Sequence, residues 1–234
     1  MSTIKELNLL NQKIVYDLTR FTTTDYVGHI SCIIWFVSCN FRCLYCYNDN
    51  IVYTKDGKYT QNDILDFLKT RVGLLDSVVL SGGEATVHNL IPLCKEIKDL
   101  GFKIKLDTNA SDLKQVKELI NLNLLDYIAI DFKAPKNKFK EITGVSTYDN
   151  GIKTIQYLID IDFNFELRST INSSLLDEND INEMIKTIKE LKYKNTYYLQ
   201  NFLETPSNIG NISKSRDIDK CKINNLGLNI QYRN

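Results

Sequence analysis

Prolines are scarce in this chain and glycines are not abundant, three and ten respectively among 234 residues, too few for long disordered linkers. No run of about 18 or more apolar residues occurs, so a conventional membrane-spanning helix is not expected. Residues 1–12 contain no uninterrupted apolar region followed by a small-residue cleavage site. Neither sign of charge is in excess, with 29 Lys plus Arg against 29 Asp plus Glu, and the summed field offers no long-range steering toward nucleic acid or an acidic membrane. Of the two histidines, His29 and His88, neither belongs to a recognisable ligand pair or nucleophile motif. A cytosolic protein with no nucleic-acid or membrane partner is expected, in a compartment where thiols stay reduced.

What is present is an ordinary globular balance, 43% apolar and 25% charged, long enough for one large α/β domain. Residues 30–37 are apolar nearly throughout and read as a strand covered on both faces. Thr60-Gln61-Asn62-Asp63 has the form of a capping box, and Ile64, Phe67, Leu68, Val72 and Leu75 then recur at helical spacing. A helix from about 61 to 74 is predicted.

The alternation continues through strand 77–80, a helix carrying Leu90, Leu93, Cys94 and Ile97 that ends at Gly101, strand 102–106, helix 113–120 and strand 127–130. A loop through Pro135 and Gly144 leads to helix 152–158, strand 163–168, helix 181–191 and strand 196–199. About six β/α units imply a parallel sheet with helices outside, open or curled as a partial barrel. Residues 21–28 read as a surface loop and 205–217 as a polar loop. In the tail, Ile218, Cys221 and Leu226 outline a short helix, and residues 228–232 an added strand.

The six cysteines are Cys32, Cys39, Cys43, Cys46, Cys94 and Cys221. Cys32 falls in the first predicted strand, Cys94 and Cys221 on apolar helix faces, and all three read as core thiols. The other three follow the first strand at CxxxCxxC spacing, in Cys39-Asn40-Phe41-Arg42-Cys43-Leu44-Tyr45-Cys46. Structural zinc normally takes four protein ligands, often as two separated CxxC pairs, and no second pair exists here. An iron-sulfur cluster is usually held by four thiolates, so three would leave one iron open for substrate chemistry. A cysteine-rich core loop is the bland third reading.

Ligands of parallel α/β folds bind at the carboxyl ends of strands, and here those ends carry Gly82-Gly83-Glu84, Asp107-Thr108-Asn109, Asp131-Phe132-Lys133, Arg168 and Gln200. The paired glycines present a backbone that a ligand can approach without Cβ interference. Each group taken alone is also compatible with a turn or a solvated strand end.

The cysteine loop resembles the CxxxCxφC signature of radical S-adenosylmethionine enzymes, with Tyr45 as the aromatic residue. That resemblance implies a [4Fe-4S] cluster on Cys39, Cys43 and Cys46, an open iron chelated by the amino and carboxylate groups of S-adenosylmethionine, and Tyr45 near the adenine. Gly82-Gly83-Glu84 resembles the family's GGE motif, which binds the methionine ammonium, a donor that needs carbonyl or carboxylate acceptors. Asp107-Thr108-Asn109 and the Asp131-x-Lys133 element resemble those of glycyl-radical activating enzymes, where the two acids lie near nucleoside and methionine, in some cases around a monovalent cation. Lys133 would then pair with the methionine carboxylate and Arg168 would add a second cationic contact, with Gln200 completing the expected cofactor-binding set.

Residues 21–28 are similar to the segment before the cluster loop in activating proteins of anaerobic ribonucleotide reductase. The resemblance spans roughly residues 21–202 of a single domain over 1–234, with 203–234 as an extension. The chain departs from the activase pattern at Ser38, where Gly commonly precedes the first Cys, and at Leu44 and Tyr47. These departures leave the ligands intact and bear on partner identity.

The function implied is reductive cleavage of S-adenosylmethionine to a 5′-deoxyadenosyl radical that installs a glycyl radical on anaerobic ribonucleoside-triphosphate reductase. A flavodoxin or ferredoxin-type protein would donate the electron. The lack of a second Cys cluster is compatible with a macromolecular substrate. Two alternatives stand beside it: a small-molecule enzyme similar to 7-carboxy-7-deazaguanine synthase, which would need a purine-like pocket and a Mg²⁺ site, and a non-catalytic iron-sulfur or zinc module that binds a partner.

Overall fold

A computed structural model describes residues 8–233. Eight strands follow one another in chain order in one sheet: β1 (Val15–Thr22), β2 (Ser31–Phe36), β3 (Ser77–Gly82), β4 (Lys103–Thr108), β5 (Tyr127–Asp131), β6 (Phe165–Ile171), β7 (Tyr197–Asn201) and β8 (Ile230–Arg233). The helices between them are α1 (Asp49–Tyr53), α2 (Gln61–Lys69), α3 (Ile91–Asp99), α4 (Leu113–Asn121), α5 (Lys136–Thr143), α6 (Tyr148–Asp160) and α7 (Glu178–Glu190). The chain divides into two compact units. One comprises the chain up to Asn40 with Asn50–Thr108 and Lys114–Ile128; the other comprises Phe41–Asp49, Asn109–Leu113 and the chain from Ala129 onward.

In the first unit β2, β3 and β4 pair in parallel, Ser31 opposite Ser77 and Ser77 opposite Lys103. The apolar character of β2 and β3 has the expected cause: Cys32, Ile34, Val78, Val79 and Leu80 are fully buried. Each such aliphatic side chain contributes at most about 1.5–3 kcal/mol by leaving water. Helix α2 opens with the predicted capping box, Thr60 Oγ1 accepting from the Asp63 amide while Asp63 Oδ2 accepts from the Thr60 amide. It stops at Lys69, short of the expected 74, because the Thr70 and Arg71 amides turn back to Phe67 and Leu68 and Gly73 takes φ +79°. Gly101, at φ +89°, ends the turn after α3 as expected.

Strand β1 was not expected. It pairs antiparallel with β2, and most of its residues are only half buried, so an edge position hides the apolar pattern that would announce it. Phe21 and Thr22 therefore close a strand, and only the residues after them form the predicted loop.

In the second unit β6, β7 and β8 pair in parallel, the last being the added strand read from the tail. The Arg233 guanidinium holds β8 in place, binding both oxygens of Glu166 at 3.2 and 3.1 Å and lying 3.4 Å from the Tyr198 ring centre. Helix α5 occupies residues read as loop: Pro135 stands at its N-terminal boundary, Phe139, Ile142 and Thr143 are buried, and Gly144 ends it at φ +76°. The helix outlined by Ile218, Cys221 and Leu226 reduces to one 3₁₀ turn, Lys220–Lys222. Cys221 is consequently exposed rather than a core thiol, whereas Cys32 and Cys94 are fully buried.

Candidate functional site

The first unit builds the root of the cysteine loop. Ser38 sits at φ +65°, a conformation costly for a residue with a Cβ. Its neighbours hold it there: its amide donates to Ile51 O at 2.9 Å, its hydroxyl donates to Thr54 O at 2.9 Å, and its carbonyl accepts from the Glu84 amide at 2.9 Å. Cys39, next in line, is half buried.

The glycine pair meets this root. Gly82 is at φ +114°, where a Cβ would lie 2.3 Å from Phe36 N, and a Cβ on Gly83 would lie 1.9 Å from Ser38 O. The missing side chains thus admit the chain's own backbone at Phe36 and Ser38, which brings the glycine pair against the root of the cysteine loop. The Glu84 carboxylate is 2% exposed, and its Oε1 accepts from Thr86 Oγ1 at 2.6 Å and Thr108 Oγ1 at 2.7 Å. Asp107 pairs with Lys105 at 2.9 Å, and Lys105 Nζ also donates to Asp25 O at 2.6 Å. Lys105 and Thr86 escaped the sequence reading; the strand-end rule does not find Lys105, because it lies inside β4.

The second unit carries the rest of the loop. Arg42 N donates to Thr143 O at 2.8 Å and Leu44 N to Ile142 O at 2.9 Å, while Cys46 N donates to Cys43 O at 2.9 Å. Across from α5, Ile209 N donates to Cys46 O at 3.0 Å and Gly210 N to Leu44 O at 2.8 Å. Cys43 is buried and Cys46 half buried. Burial pushes the Cys43 thiol up to about 11 against the opposing pull of the Lys133 ammonium, and burial raises Cys46 as well.

Tyr45 is buried, with Lys133 Nζ 5.8 Å from its ring centre. Its hydroxyl makes no well-formed hydrogen bond among the described residues, although it lies near enough to the Cys43 sulfur to lower that thiol's pKa slightly.

Asp131, Lys133 and Arg168 come together in this unit. Asp131 Oδ2 accepts from Lys133 Nζ at 2.9 Å and Oδ1 from Arg168 Nε at 2.5 Å. Burial alone would raise the Asp131 carboxyl, but the guanidinium and ammonium outweigh it and hold it well below the usual carboxylate range. Burial would likewise lower Lys133, and Asp131, with Tyr45 and Cys43, more than reverses that. One carboxylate between two cations leaves a net positive charge, which suits a small anion such as a carboxylate. Asn109, also in this unit, is buried and accepts the Ser111 amide at 3.0 Å through Oδ1. Gln200 is half buried in β7, in register with Thr170 and Arg233.

Three thiols outside any disulfide, on a loop anchored at its root and flanks, fit an iron-sulfur cluster better than a four-ligand metal, by the chemistry of the donor set. Among the described residues no three His, Cys, Asp or Glu side chains form a ready-made cage for a metal ion. Because burial raises the Cys43 and Cys46 thiols, cluster ligation must displace their protons.

A family model described as the Radical SAM superfamily matches residues 33–191. A protein of Methanocaldococcus jannaschii, provisionally named a glycyl-radical enzyme activating enzyme, is 32% identical over 199 residues, covering 81% of this chain and 80% of the relative. A Saccharolobus solfataricus protein provisionally named GTP 3′,8-cyclase is 34% identical over 133 residues, 53% of this chain and 41% of that one. Among solved structures, Streptococcus suis SuiB bound to S-adenosylmethionine superposes with a TM-score of 0.68 at 19% identity, over 85% of this chain and 48% of that one. The chain thus spans less than half the length of the last two. The structural likeness shows the fold, an α/β architecture with a mostly parallel sheet.

Proposed function

This chain belongs to the radical SAM superfamily, and from that premise we propose that it is a glycyl-radical enzyme activating enzyme whose partner is anaerobic ribonucleoside-triphosphate reductase. The observation that carries the activase reading is the likeness to the M. jannaschii protein, which extends over four fifths of both chains; the choice of partner rests on the resemblance of residues 21–28 alone. The cofactors of the superfamily are a [4Fe-4S] cluster and S-adenosylmethionine. When bound, they would supply one-electron reductive cleavage of S-adenosylmethionine, with methionine leaving, and through it removal of a hydrogen atom from a glycine Cα of the partner.

The chain's own residues bind, orient and shield. Cys39, Cys43 and Cys46 hold the cluster. Lys133 and Arg168, already bracketed on Asp131, present the positive charge that receives the methionine carboxylate. Gly82, Gly83 and Glu84 place their backbone beside the root of the ligand loop at Ser38, and the family resemblance assigns Tyr45, Asp107, Thr108, Asn109 and Gln200 to S-adenosylmethionine binding. The electron enters from a flavodoxin or ferredoxin-type donor.

The cyclase likeness favours a second reading, a small-molecule substrate, but it reaches only 41% of that protein. The deciding experiment is anaerobic incubation of the reconstituted protein with S-adenosylmethionine, dithionite and the candidate reductase, followed by EPR. A glycyl-radical doublet on the partner supports the activase. S-adenosylmethionine cleavage with no radical on any glycyl-radical partner favours the small-molecule reading, and no cleavage at all leaves the non-catalytic module.

A further inference from the structure

Resting on the reading of Cys43 and Cys46 as cluster ligands, we propose that the polar segment after β7 is a strap that positions the ligand loop, with Gly210 as its contact residue and Arg216–Glu178 as its fastening. The segment has no regular structure until the 3₁₀ turn at Lys220, yet its hydrogen bonds are specific. The consecutive amides of Ile209 and Gly210 donate to the carbonyls of Cys46 and Leu44 at 3.0 and 2.8 Å. The approach leaves no space, since a Cβ on Gly210 would lie 2.8 Å from Leu44 Cβ and 2.9 Å from Leu44 O.

Asn208, 6% exposed, closes the turn that presents these amides: its Nδ2 donates to Ile212 O at 2.7 Å and its Oδ1 accepts from Ile212 N at 2.8 Å. Leu44 is thereby held at both ends of its peptide, its amide by the end of α5 and its carbonyl by the strap.

The far end of the strap is tied to the start of α7. Arg216 binds both oxygens of Glu178 at 2.6 Å, and the Asp219 amide adds a third bond to Glu178 at 2.7 Å. Asn172 Nδ2 donates to Ser213 O at 2.9 Å and Ser173 Oγ to Arg216 O at 2.5 Å, so the turn after β6 secures the middle. A segment this polar gains little from burial, and its bonds converge on the peptide between two ligands. Ligand atoms must be held within a fraction of an ångström to accept a cluster, and partners that orient them contribute to metal affinity.

The test compares wild type, Gly210→Ala and Arg216→Gln. In wild-type protein without cluster, hydrogen exchange at the Ile209 and Gly210 amides should be protected, and Arg216→Gln should speed it by about tenfold by loosening the strap. Gly210→Ala, whose Cβ must push the Leu44 peptide aside, should lose iron to a chelator roughly 10-fold more readily and change the EPR spectrum of the reduced cluster, beyond any drop in the melting temperature of the cluster-free protein. A merely structural role would lower the melting temperature alone and leave iron retention and that spectrum unchanged. Gly210→Ala with wild-type iron retention and spectrum overturns the proposal, as does unprotected exchange at the two amides in wild type, a measurement that needs no variant to fold. Wild type that takes up no iron while those amides stay protected would overturn the cluster reading, and with it the strap's role.

Discussion

Three residues at the root of the cysteine loop carry the sharpest consequences. Ser38 stands at φ +65° where activases commonly have glycine, and its hydroxyl bond to Thr54 O offsets the strain. Ser38→Ala keeps the strain and loses the bond, so denaturant titration of the cluster-free protein should show a loss of about 1 kcal/mol. Ser38→Gly removes both and should be nearly neutral. Gly83→Ala would place a Cβ 1.9 Å from Ser38 O, and the forced backbone shift should cost about 2–3 kcal/mol in the same titration. His88 reports on pH. Burial holds its imidazole below its usual pKa, against the bond between Nε2 and Val37 O at 2.8 Å. Below the unfolded value of about 6.5 the unfolded chain therefore binds more protons than the folded one, and stability falls as the medium is acidified. Urea midpoints at neutral and mildly acidic pH should draw apart in wild type and converge in His88→Gln.

The elements that read clearly are those whose burial matches their sequence period. Strands β2 to β7 and helices α2, α3, α4 and α7 stand where apolar spacing placed them, because each has a covered face. Strand β1 and helix α5 did not announce themselves, the first because an edge strand is half exposed, the second because its buried residues are few among five polar ones. Pro135 and Gly144 did mark its two ends, and a proline before and a glycine after a segment are legible as helix punctuation. The strap lay beyond reading, since backbone amides aimed at Cys46 and Leu44 leave no side-chain pattern. Helix α7 offers a direct check on local structure: Asp177 accepts the Asn179 and Asp180 amides while Asp180 accepts the Asp177 amide. Asp177→Ala should cost about 1 kcal/mol of stability, read from the thermal unfolding of the cluster-free protein.

At the scale of the whole molecule, the expected cofactor residues are divided along the chain, with Cys39, Gly82, Gly83, Glu84, Asp107 and Thr108 in one compact unit and the remainder in the other. The cysteine spacing made the cluster legible from the sequence, because few other functions need three thiols in eight residues. The pairing of Asp131 with both Lys133 and Arg168 was not, since it depends on β5 and β6 bringing distant residues to one place. Lys133→Met should weaken S-adenosylmethionine binding by about tenfold or more by removing one cation from that group, measured by titrating the reduced cluster's EPR signal. All of this depends on Cys39, Cys43 and Cys46 holding a cluster with an iron open to S-adenosylmethionine. The most direct test is iron and sulfide analysis with EPR after anaerobic reconstitution, before and after adding S-adenosylmethionine. About four irons per chain are expected, with a spectrum that changes with S-adenosylmethionine and no cluster in the triple Cys→Ala variant. Zinc in a closed shell, or a cluster whose spectrum ignores S-adenosylmethionine, would contradict it.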